Sequence, residues 1–258
     1  PSSPPEDEPA GAAMAAPAPR LPAVTTPPST ASITATEPAR VLLMGDSTAF
    51  VLGDRSDSVP VDRWNLQVMA RVGCGTVAGA TIDVDADEAN RHPPACAGWR
   101  AEWRDAVDVV QPDVALVMIG PWEVMDHRID DVDVRFPSAR WSAEVRAAID
   151  DATGIAGSSG AQVALLTLPC MQPSGDDDTT ARSDPARVAA FNVVLPDVAA
   201  SQAAEVLDLG AVLCPAGQPI ESTTGNQIRY DGVHLTPEGA DTVWTWLLPR
   251  LDRLDATR

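Results

Sequence analysis

The chain has 258 residues, of which 45% are hydrophobic, so it can form a sizeable core as one large domain or two small ones. Its 37 acidic and 18 basic residues give a formal charge of -19, and every basic residue is an arginine. This balance argues against nucleic-acid binding and against docking on an anionic lipid surface, because both need a basic footprint. No apolar run approaches the ~18–20 residues that a membrane-spanning helix needs.

The first 39 residues differ in composition from the remainder of the chain. They hold ten of the 24 prolines and no aromatic residue, so they carry too little apolar side chain to offset chain entropy. Prolines at this density favour an extended spacer, although a tail without a mechanical role is an alternative. Because the chain starts at Pro1 rather than Met, we expect a piece of a longer protein or a form whose targeting segment has been removed. We predict a Pro/Ala-rich disordered linker over 1–39 and a folded domain over 40–258.

Beyond residue 39, short apolar runs alternate with longer amphipathic stretches. The apolar runs are rich in Val and Leu and predict five strands: ARVLLMG (39–45), LQVMAR (66–71), DVALVMIG (113–120), AQVALLTLP (161–169) and AEVLDLG (204–210). The amphipathic stretches predict helices over 99–110, over 141–152, over 185–200 and from an N-cap at Thr236 onward. Strands alternating with helices indicate one doubly wound α/β domain with a parallel sheet covered on both sides.

The first predicted strand ends in Gly45, Asp46, Ser47 and Thr48. Active sites of open parallel sheets lie at the carboxyl ends of the strands, so this position favours a functional role. The glycine permits a sharp turn, and Ser47 then begins a helix whose dipole favours developing negative charge. A serine that only caps the helix is the alternative.

The chain has three histidines, of which His92 and His127 stand in polar, turn-like segments and are expected to be structural. His234 stands in DGVHLTPEG, directly before the predicted last helix, with Asp231 three residues upstream. This spacing lets the carboxylate bind one ring nitrogen while the other faces out, which is what the base of a nucleophilic serine requires. Ser47, Asp231 and His234 are therefore candidate catalytic residues, and a structural Asp/Gly turn with a capping histidine is the alternative.

The segments GDSTA and DGVHLTPEG resemble the first and last blocks of the SGNH (GDSL-like) hydrolase family. The resemblance covers roughly residues 40–258 and implies a flavodoxin-like, three-layer α/β/α fold with a parallel sheet of about five strands. It also implies serine hydrolase chemistry on ester bonds, with Ser47 as the nucleophile, His234 as the base and Asp231 as its orienting carboxylate. The chain has no G-x-S-x-G elbow, which makes an ordinary α/β-hydrolase less favoured.

The middle blocks of the family match less well. The second block supplies an amide to the oxyanion hole beside that of Ser47; Gly75 in RVGCGTVAG matches it best, and Gly73 is the second choice. The third block is normally G-x-N-D, but here Trp122 stands at the Asn position and Glu123 at the Asp position. Loss of one oxyanion donor can cost on the order of 100-fold in rate. The Trp122 indole either replaces that donor or walls the acyl pocket, and we favour the wall.

The W-E pair, the CxGW of Cys96, Gly98 and Trp99, and the Pro-rich leader resemble extracytoplasmic SGNH domains fused behind acyltransferase family 3 membrane domains. This resemblance implies an extracytoplasmic serine O-acyltransferase or esterase, secreted or tethered to the outer face of the cell membrane. Its substrates would be O-acyl groups, above all O-acetyl groups, of a carbohydrate or surface glycan. Its partners would be an acyl donor, a carbohydrate acceptor and an upstream membrane domain in the same polypeptide. A free-standing secreted lipase or esterase and a catalytically silent glycan-binding module are alternatives.

Four cysteines, Cys74, Cys96, Cys170 and Cys214, are even in number and lack the spacing of zinc knuckles. Two disulfides formed in an oxidising compartment are expected, with buried thiols as the alternative. The first two cysteines flank an irregular segment after the second strand, and the others follow the fourth and fifth strands. We therefore predict the pairs 74–96 and 170–214 among three possible connectivities. No metal site or cofactor is predicted, because the histidines and cysteines form no ligand-like cluster.

Overall fold

The computed structural model describes residues 37–82, 94–174, 180–220 and 227–257. Residues 1–36 of the predicted linker lie outside these ranges, so the linker remains a prediction. The described strands are β1 (Ala39–Gly45), β2 (Trp64–Ala70), β3 (Ala80–Ile82), β4 (Val114–Met118), β5 (Asp126–Ile129), β6 (Val132–Val134), β7 (Gln162–Leu166) and β8 (Glu205–Leu207). The helices are α1 (Ser47–Asp54), α2 (Trp99–Val110), α3 (Ala139–Ala156), α4 (Thr180–Ser183), α5 (Pro185–Asn192), α6 (Leu195–Ser201), α7 (Leu209–Leu213) and α8 (Pro237–Asp255).

The main sheet contains the five predicted strands in the order β2-β1-β4-β7-β8, and all neighbouring pairs are parallel. Its strands are short, Val- and Leu-rich runs, and β4 is buried at every position because helices cover both faces. From β1 the chain first adds β2 on one side of the sheet and then adds β4, β7 and β8 on the other side. The direction of strand addition therefore reverses between β1 and β4. Ligands of such sheets bind at this switch point, outside the carboxyl ends of the strands.

Helices pack on both faces of the sheet and complete a three-layer α/β/α architecture, as predicted. Alternate residues of β1 face opposite layers, with Leu42 and Met44 packed against one set of helices and Val41 and Leu43 against the other. The first layer contains α2, α3, α5 and α6, and the second contains α1, α7 and α8. No helix within the described ranges is both long and apolar enough to cross a membrane.

Two local features differ from the sequence prediction. A second, antiparallel sheet of order β3-β5-β6 was not predicted, because its strands have only three or four residues and carry no clear alternation. The predicted single helix over 185–200 is wrong, because the chain forms α5 and α6 with a break at 193–194. Pro196 lacks the N–H that would bond to the carbonyl of Asn192, so a continuous helix would lose that bond.

Candidate active site

Ser47 begins α1 at the carboxyl end of β1, and its side chain is nearly buried. The turn before it requires glycine, because a Cβ on Gly45 would lie 2.0 Å from the carbonyl oxygen of Met118 on the neighbouring strand. Asp46 caps the helix: its Oδ1 accepts hydrogen bonds from the backbone N–H and the hydroxyl of Thr48, both at 2.7 Å. The backbone cap is thus made by Asp46, and the Ser47 hydroxyl is available for another contact.

That contact is with His234, which follows Ser47 by 187 positions in the chain. The Nε2 of His234 lies 2.8 Å from Ser47 Oγ, and its Nδ1 lies 2.6 Å from Asp231 Oδ2. Because a carboxylate only accepts hydrogen bonds, Nδ1 donates to Asp231, which leaves Nε2 to accept the proton of Ser47. The three residues predicted from the two separate motifs therefore form one continuous chain of hydrogen bonds.

Backbone groups fix the carboxylate of this chain. Asp231 Oδ1 accepts hydrogen bonds from the N–H groups of Val233 at 2.9 Å and His234 at 2.7 Å. Partial burial raises the pKa of Asp231, but the hydrogen bonds from His234 and the two backbone groups outweigh it and hold that pKa below its usual value. Asp231 is thus an ionised acceptor at neutral pH, which keeps the imidazole in the tautomer described above.

The turn that carries Asp231 and His234 is anchored to the end of β7. Gly232 has a φ of +80°, and a Cβ there would lie 1.7 Å from the carbonyl oxygen of Gln172, so only glycine fits. The buried guanidinium of Arg229 donates to the carbonyl of Cys170, which is disulfide-bonded to Cys214. Burial lowers the pKa of Arg229 to about 10, so it stays charged at neutral pH, where it is attracted to Asp231. Sequence reasoning missed this arginine, since no motif marks it.

The predicted oxyanion segment follows β2, beside β1. Gly75 is buried there, whereas Gly73 is half-buried with a φ of +78°. Two contacts hold this segment: the disulfide between Cys74 and Cys96, and the Glu123 carboxylate, whose Oε1 accepts from the N–H of Thr76 at 2.6 Å and from its hydroxyl at 2.9 Å. The oxyanion role of these glycines stays a prediction. The segment that carries them is held by the disulfide and by the Glu123 carboxylate.

Trp122 lies half-buried in the turn after β4. The guanidinium of Arg182 lies 4.4 Å from the centroid of its ring, and Arg182 Nε donates to the carbonyl of Pro121 at 3.2 Å. One face of the indole is therefore covered by a buried cation that sequence reasoning did not single out. The role of Trp122 as a wall of the acyl pocket, rather than as an oxyanion donor, stays a prediction.

Both predicted disulfides, Cys74–Cys96 and Cys170–Cys214, are confirmed. His92 lies outside the described residues, while His127 is buried in β5 with its Nε2 3.4 Å from the carbonyl oxygen of Glu123. Within the described ranges, no group of three or more potential ligands is placed to hold a metal ion.

A small apolar cavity lies one residue away from both Ser47 and His234, and the two residues themselves do not line it. Its volume is about 20 Å³, which is room for one water-sized group. It is lined by the chain neighbours of the two residues, Thr48 and Val233, and by apolar side chains that include Leu168 and Met171. Its walls come from the ends of β4 and β7, so it lies at the carboxyl edge of the sheet with the rest of the site.

Residues 93–250 match the model of a family described as "Protein of unknown function (DUF459)". The chain belongs to this family. A search of curated proteins found no match. The fold of this DUF459 domain is of the SGNH hydrolase type, as the resemblance implied, and three solved structures illustrate it.

The first, a carbohydrate acetylesterase family member from Sinorhizobium meliloti, is 15% identical, with a TM-score of 0.55 over 84% of this chain and 99% of that one. The second, a putative acylhydrolase from Bacteroides fragilis, is 14% identical, with a TM-score of 0.53 over 86% and 92%. The third, the periplasmic domain of a lipopolysaccharide acetyltransferase from Salmonella ser. Paratyphi A, is 13% identical, with a TM-score of 0.50 over 84% and 85%. At these identities the DUF459 domain shares a fold with them, and its chemistry has to be argued from its own residues.

Proposed function

We propose that this DUF459 domain is an extracytoplasmic serine O-acyltransferase or esterase that acts on short acyl esters of carbohydrates through an acyl-Ser47 intermediate. The observation that carries the proposal is the continuous hydrogen-bond chain from Ser47 through His234 to Asp231. A serine hydroxyl is a weak nucleophile until a base takes its proton, and the imidazole is in place and in the correct tautomer to do so.

The first half-reaction acylates the serine. Ser47 Oγ attacks the acyl carbonyl carbon while its proton passes to His234 Nε2, and the carbonyl π electrons move onto the oxygen. The amides of Ser47 and Gly75 are the proposed donors to this oxyanion, at the N-terminus of α1 where the helix dipole favours negative charge. The tetrahedral intermediate then breaks its bond to the leaving alcohol, which takes the proton from His234.

The second half-reaction returns the enzyme to its starting state. A hydroxyl of water or of a sugar attacks the acyl-Ser47 carbonyl and gives its proton to His234 Nε2. Collapse of the second tetrahedral intermediate releases the acid or the new ester, and Ser47 Oγ takes the proton back. Throughout the cycle Asp231 stays ionised and stabilises the imidazolium, a role that its lowered pKa supports. Whether water or sugar is the acceptor depends on how the site excludes water.

The size of the apolar cavity supports a short acyl group. A volume of about 20 Å³ accommodates a methyl-sized group, whereas a longer chain would need the lining side chains to move. The packed walls, with Met171 only 5% exposed and Leu168 only 3%, resist such movement. This favours acetyl esters over the long-chain esters that a secreted lipase would take.

The charge of the chain bears on the acceptor, and the disulfides bear on the compartment. A formal charge of -19 repels polyanions, so we propose a neutral saccharide as the substrate that carries the acetyl group. Two disulfides are typical of oxidising compartments outside the cytoplasm. The named activities of two structural neighbours, a carbohydrate acetylesterase family member and a lipopolysaccharide acetyltransferase domain, support the same substrate class. An upstream membrane domain remains part of the proposal.

Covalent labelling tests this function directly. We expect a fluorophosphonate to add one adduct to the protein at Ser47, and an acetyl ester such as methyl acetate to be hydrolysed. Ser47→Ala removes both, and turnover falls on the order of 10⁶-fold. Ser142→Ala, an exposed serine on α3, is the matched control and keeps both. An unlabelled Ser47 with no ester turnover would contradict the proposal and favour the alternative, a catalytically silent glycan-binding module.

A further inference from the structure

Two carboxyl groups lie fully buried beneath the site, and the proposed steps use neither of them. Asp46 and Glu123 both have 0% exposed surface. Each uses a single oxygen to accept the N–H and the hydroxyl of one threonine, Asp46 Oδ1 from Thr48 and Glu123 Oε1 from Thr76. Their second oxygens, Asp46 Oδ2 and Glu123 Oε2, are buried and accept no hydrogen bond from the described residues. Buried polar atoms of native proteins rarely stay unsatisfied, so these two oxygens call for an explanation.

The sheet order places the two carboxyl groups at the same edge of the sheet. Asp46 follows Gly45, the last residue of β1, and Gly45 pairs with Ala70 of β2 on one side and Met118 of β4 on the other. The side chain of Glu123 starts in the turn after β4 and reaches Thr76, in the segment after β2. β1 lies between β4 and β2 in the sheet. The Glu123 side chain therefore crosses the end of β1, where Asp46 is located, to reach Thr76.

Electrostatics agree with that placement. Burial and then the charge of Glu123 raise the pKa of Asp46 to about 7, against the hydrogen bonds from Thr48 and the charge of His234 that lower it. Burial also raises the pKa of Glu123, against the hydrogen bonds from Thr76 and the nearby backbone N–H groups of Glu123 and Gly120, which lower it. Two neighbouring carboxylates in an apolar interior cannot both be ionised at low cost, so near neutral pH the pair retains a proton.

We propose that Asp46 and Glu123 share one proton between Asp46 Oδ2 and Glu123 Oε2, and that Glu123 is thereby a positioning residue for the active site. The shared proton joins the cap of the helix that begins with Ser47 to the segment that carries Gly75. Nucleophile and oxyanion donor are then held in one rigid unit, at the point where the family's Asn-Asp pair is replaced by Trp-Glu. The kinetic part of this inference rests on the proposed function, and its spectroscopic part does not.

The proposal predicts a loss of activity on the alkaline side. When the shared proton leaves, two buried negative charges face each other and the unit opens, which displaces Ser47 relative to Gly75. The titratable groups that act on Asp46 are Glu123, which favours its protonated form, and His234, whose charged form favours the carboxylate. Formation of the His234 imidazolium during the reaction therefore lowers the affinity of the Asp46–Glu123 pair for the shared proton.

Glu123→Gln separates proton sharing from simple packing. Its amide oxygen still accepts from Thr76, and its N–H₂ donates to Asp46 Oδ2 at every pH. We expect kcat of this variant to stay within about three-fold of the parent near pH 6 and to lose the alkaline decrease that the parent shows above about pH 7. Asp46→Asn is expected to do the same, because asparagine also caps helices and donates to Glu123 Oε2. The double variant places two amides face to face and is expected to lose at least about ten-fold at all pH values.

Infrared spectroscopy reads out the shared proton without any substrate. We expect the parent at about pH 6 to show the carbonyl stretch of a protonated carboxylic acid, and each single variant to lose it. Glu144→Gln is the matched control and keeps the band, because Glu144 is a partly exposed carboxyl group on α3 that pairs with Arg140. A parent without that band, or a Glu123→Gln variant with the parental band and pH profile, would overturn the inference. A band that behaves as expected in a protein without ester turnover would overturn only the proposed function.

Discussion

The ring of Tyr230 lies almost parallel to the imidazole of His234, with ring centroids 5.7 Å apart and an interplanar angle of 17°. The backbone of the two residues is also joined, because Tyr230 N–H donates to the carbonyl of His234 at 3.1 Å. Tyr230 is 53% exposed, so its ring covers one side of the imidazole and presents apolar surface to solvent beside it.

This stacked pair predicts a substrate-dependent effect. We expect Tyr230→Ala to lower kcat/KM for an acetylated methyl glycoside by roughly three- to ten-fold, because the sugar ring loses an aromatic surface to pack on. Methyl acetate, which is too small to reach the ring, is expected to be affected less than about two-fold. Tyr230→Phe keeps the ring and serves as the control. An equal decrease for both esters would show that Tyr230 only supports His234.

Replacing the orienting carboxylate with an amide is expected to lower kcat severely without abolishing turnover. Asp231→Asn keeps an oxygen for the backbone N–H groups, yet places an N–H₂ group against His234 Nδ1, which forces the proton onto Nε2. The imidazole then cannot accept the Ser47 proton, so kcat should fall by on the order of 10⁴-fold, less than for Ser47→Ala. Acylation measured by stopped-flow release of p-nitrophenol from its acetate checks this. Turnover within about ten-fold of the parent would contradict the tautomer assigned here.

Trp122 departs from its family's pattern, and its substitution distinguishes a pocket wall from an oxyanion donor. We expect Trp122→Phe to change the acylation rate by less than about two-fold, because phenylalanine keeps a ring for the Arg182 guanidinium to cover. If the indole N–H were an oxyanion donor, the same change would slow acylation on the order of 100-fold at unchanged melting temperature. Trp122→Ala, which removes the ring, is expected to alter acyl-chain preference instead.

The apolar cavity predicts that acyl-chain length is set by its lining side chains. Met171→Ala enlarges the cavity, so we expect the ratio of hexanoate to acetate turnover to rise about ten-fold. Ile155→Ala also removes buried apolar volume, but on α3 away from the cavity, and serves as a control for the loss of core packing. Both variants are assayed at a temperature where circular dichroism shows them folded. An unchanged ratio would place the acyl group elsewhere.

The buried carboxyl group of Asp46 also predicts how stability depends on pH. Its pKa is about 7 in the folded protein and near 3.8 when unfolded, so the folded state binds the extra proton between these values. The free energy of unfolding should therefore decrease from about pH 4 to about pH 7, by up to ~4 kcal/mol through this group. Asp46→Asn removes the titration and should flatten the slope in urea unfolding over that range. A slope equal to that of the parent would contradict the raised pKa.

Much of the architecture could be predicted because its determinants are local. The five strands of the main sheet are Val- and Leu-rich runs bounded by polar residues, and α8 begins at the predicted cap, where Thr236 Oγ1 accepts from the N–H of Gly239 at 3.2 Å. The Cys170–Cys214 pair followed from the parallel sheet, since strands that end at one edge bring their following residues together, and the Cys74–Cys96 pair followed from the irregular segment that these two cysteines flank. The break between α5 and α6 was missed because the apolar stripe continues across Pro196.

By itself the sequence determined the reactive groups, since a serine after the first strand and an Asp-x-x-His before the last helix are local signals with few chemical alternatives. Only the tertiary structure decided what surrounds them. The contact from Glu123 to Thr76 spans 47 residues, and that from Arg229 to Cys170 spans 59. Such contacts depend on which strands are neighbours and how deeply a charge is buried, and neither is encoded in a short stretch of residues. Burial is what turns Asp46 from an ordinary helix cap into a carboxyl group that holds its proton near neutral pH.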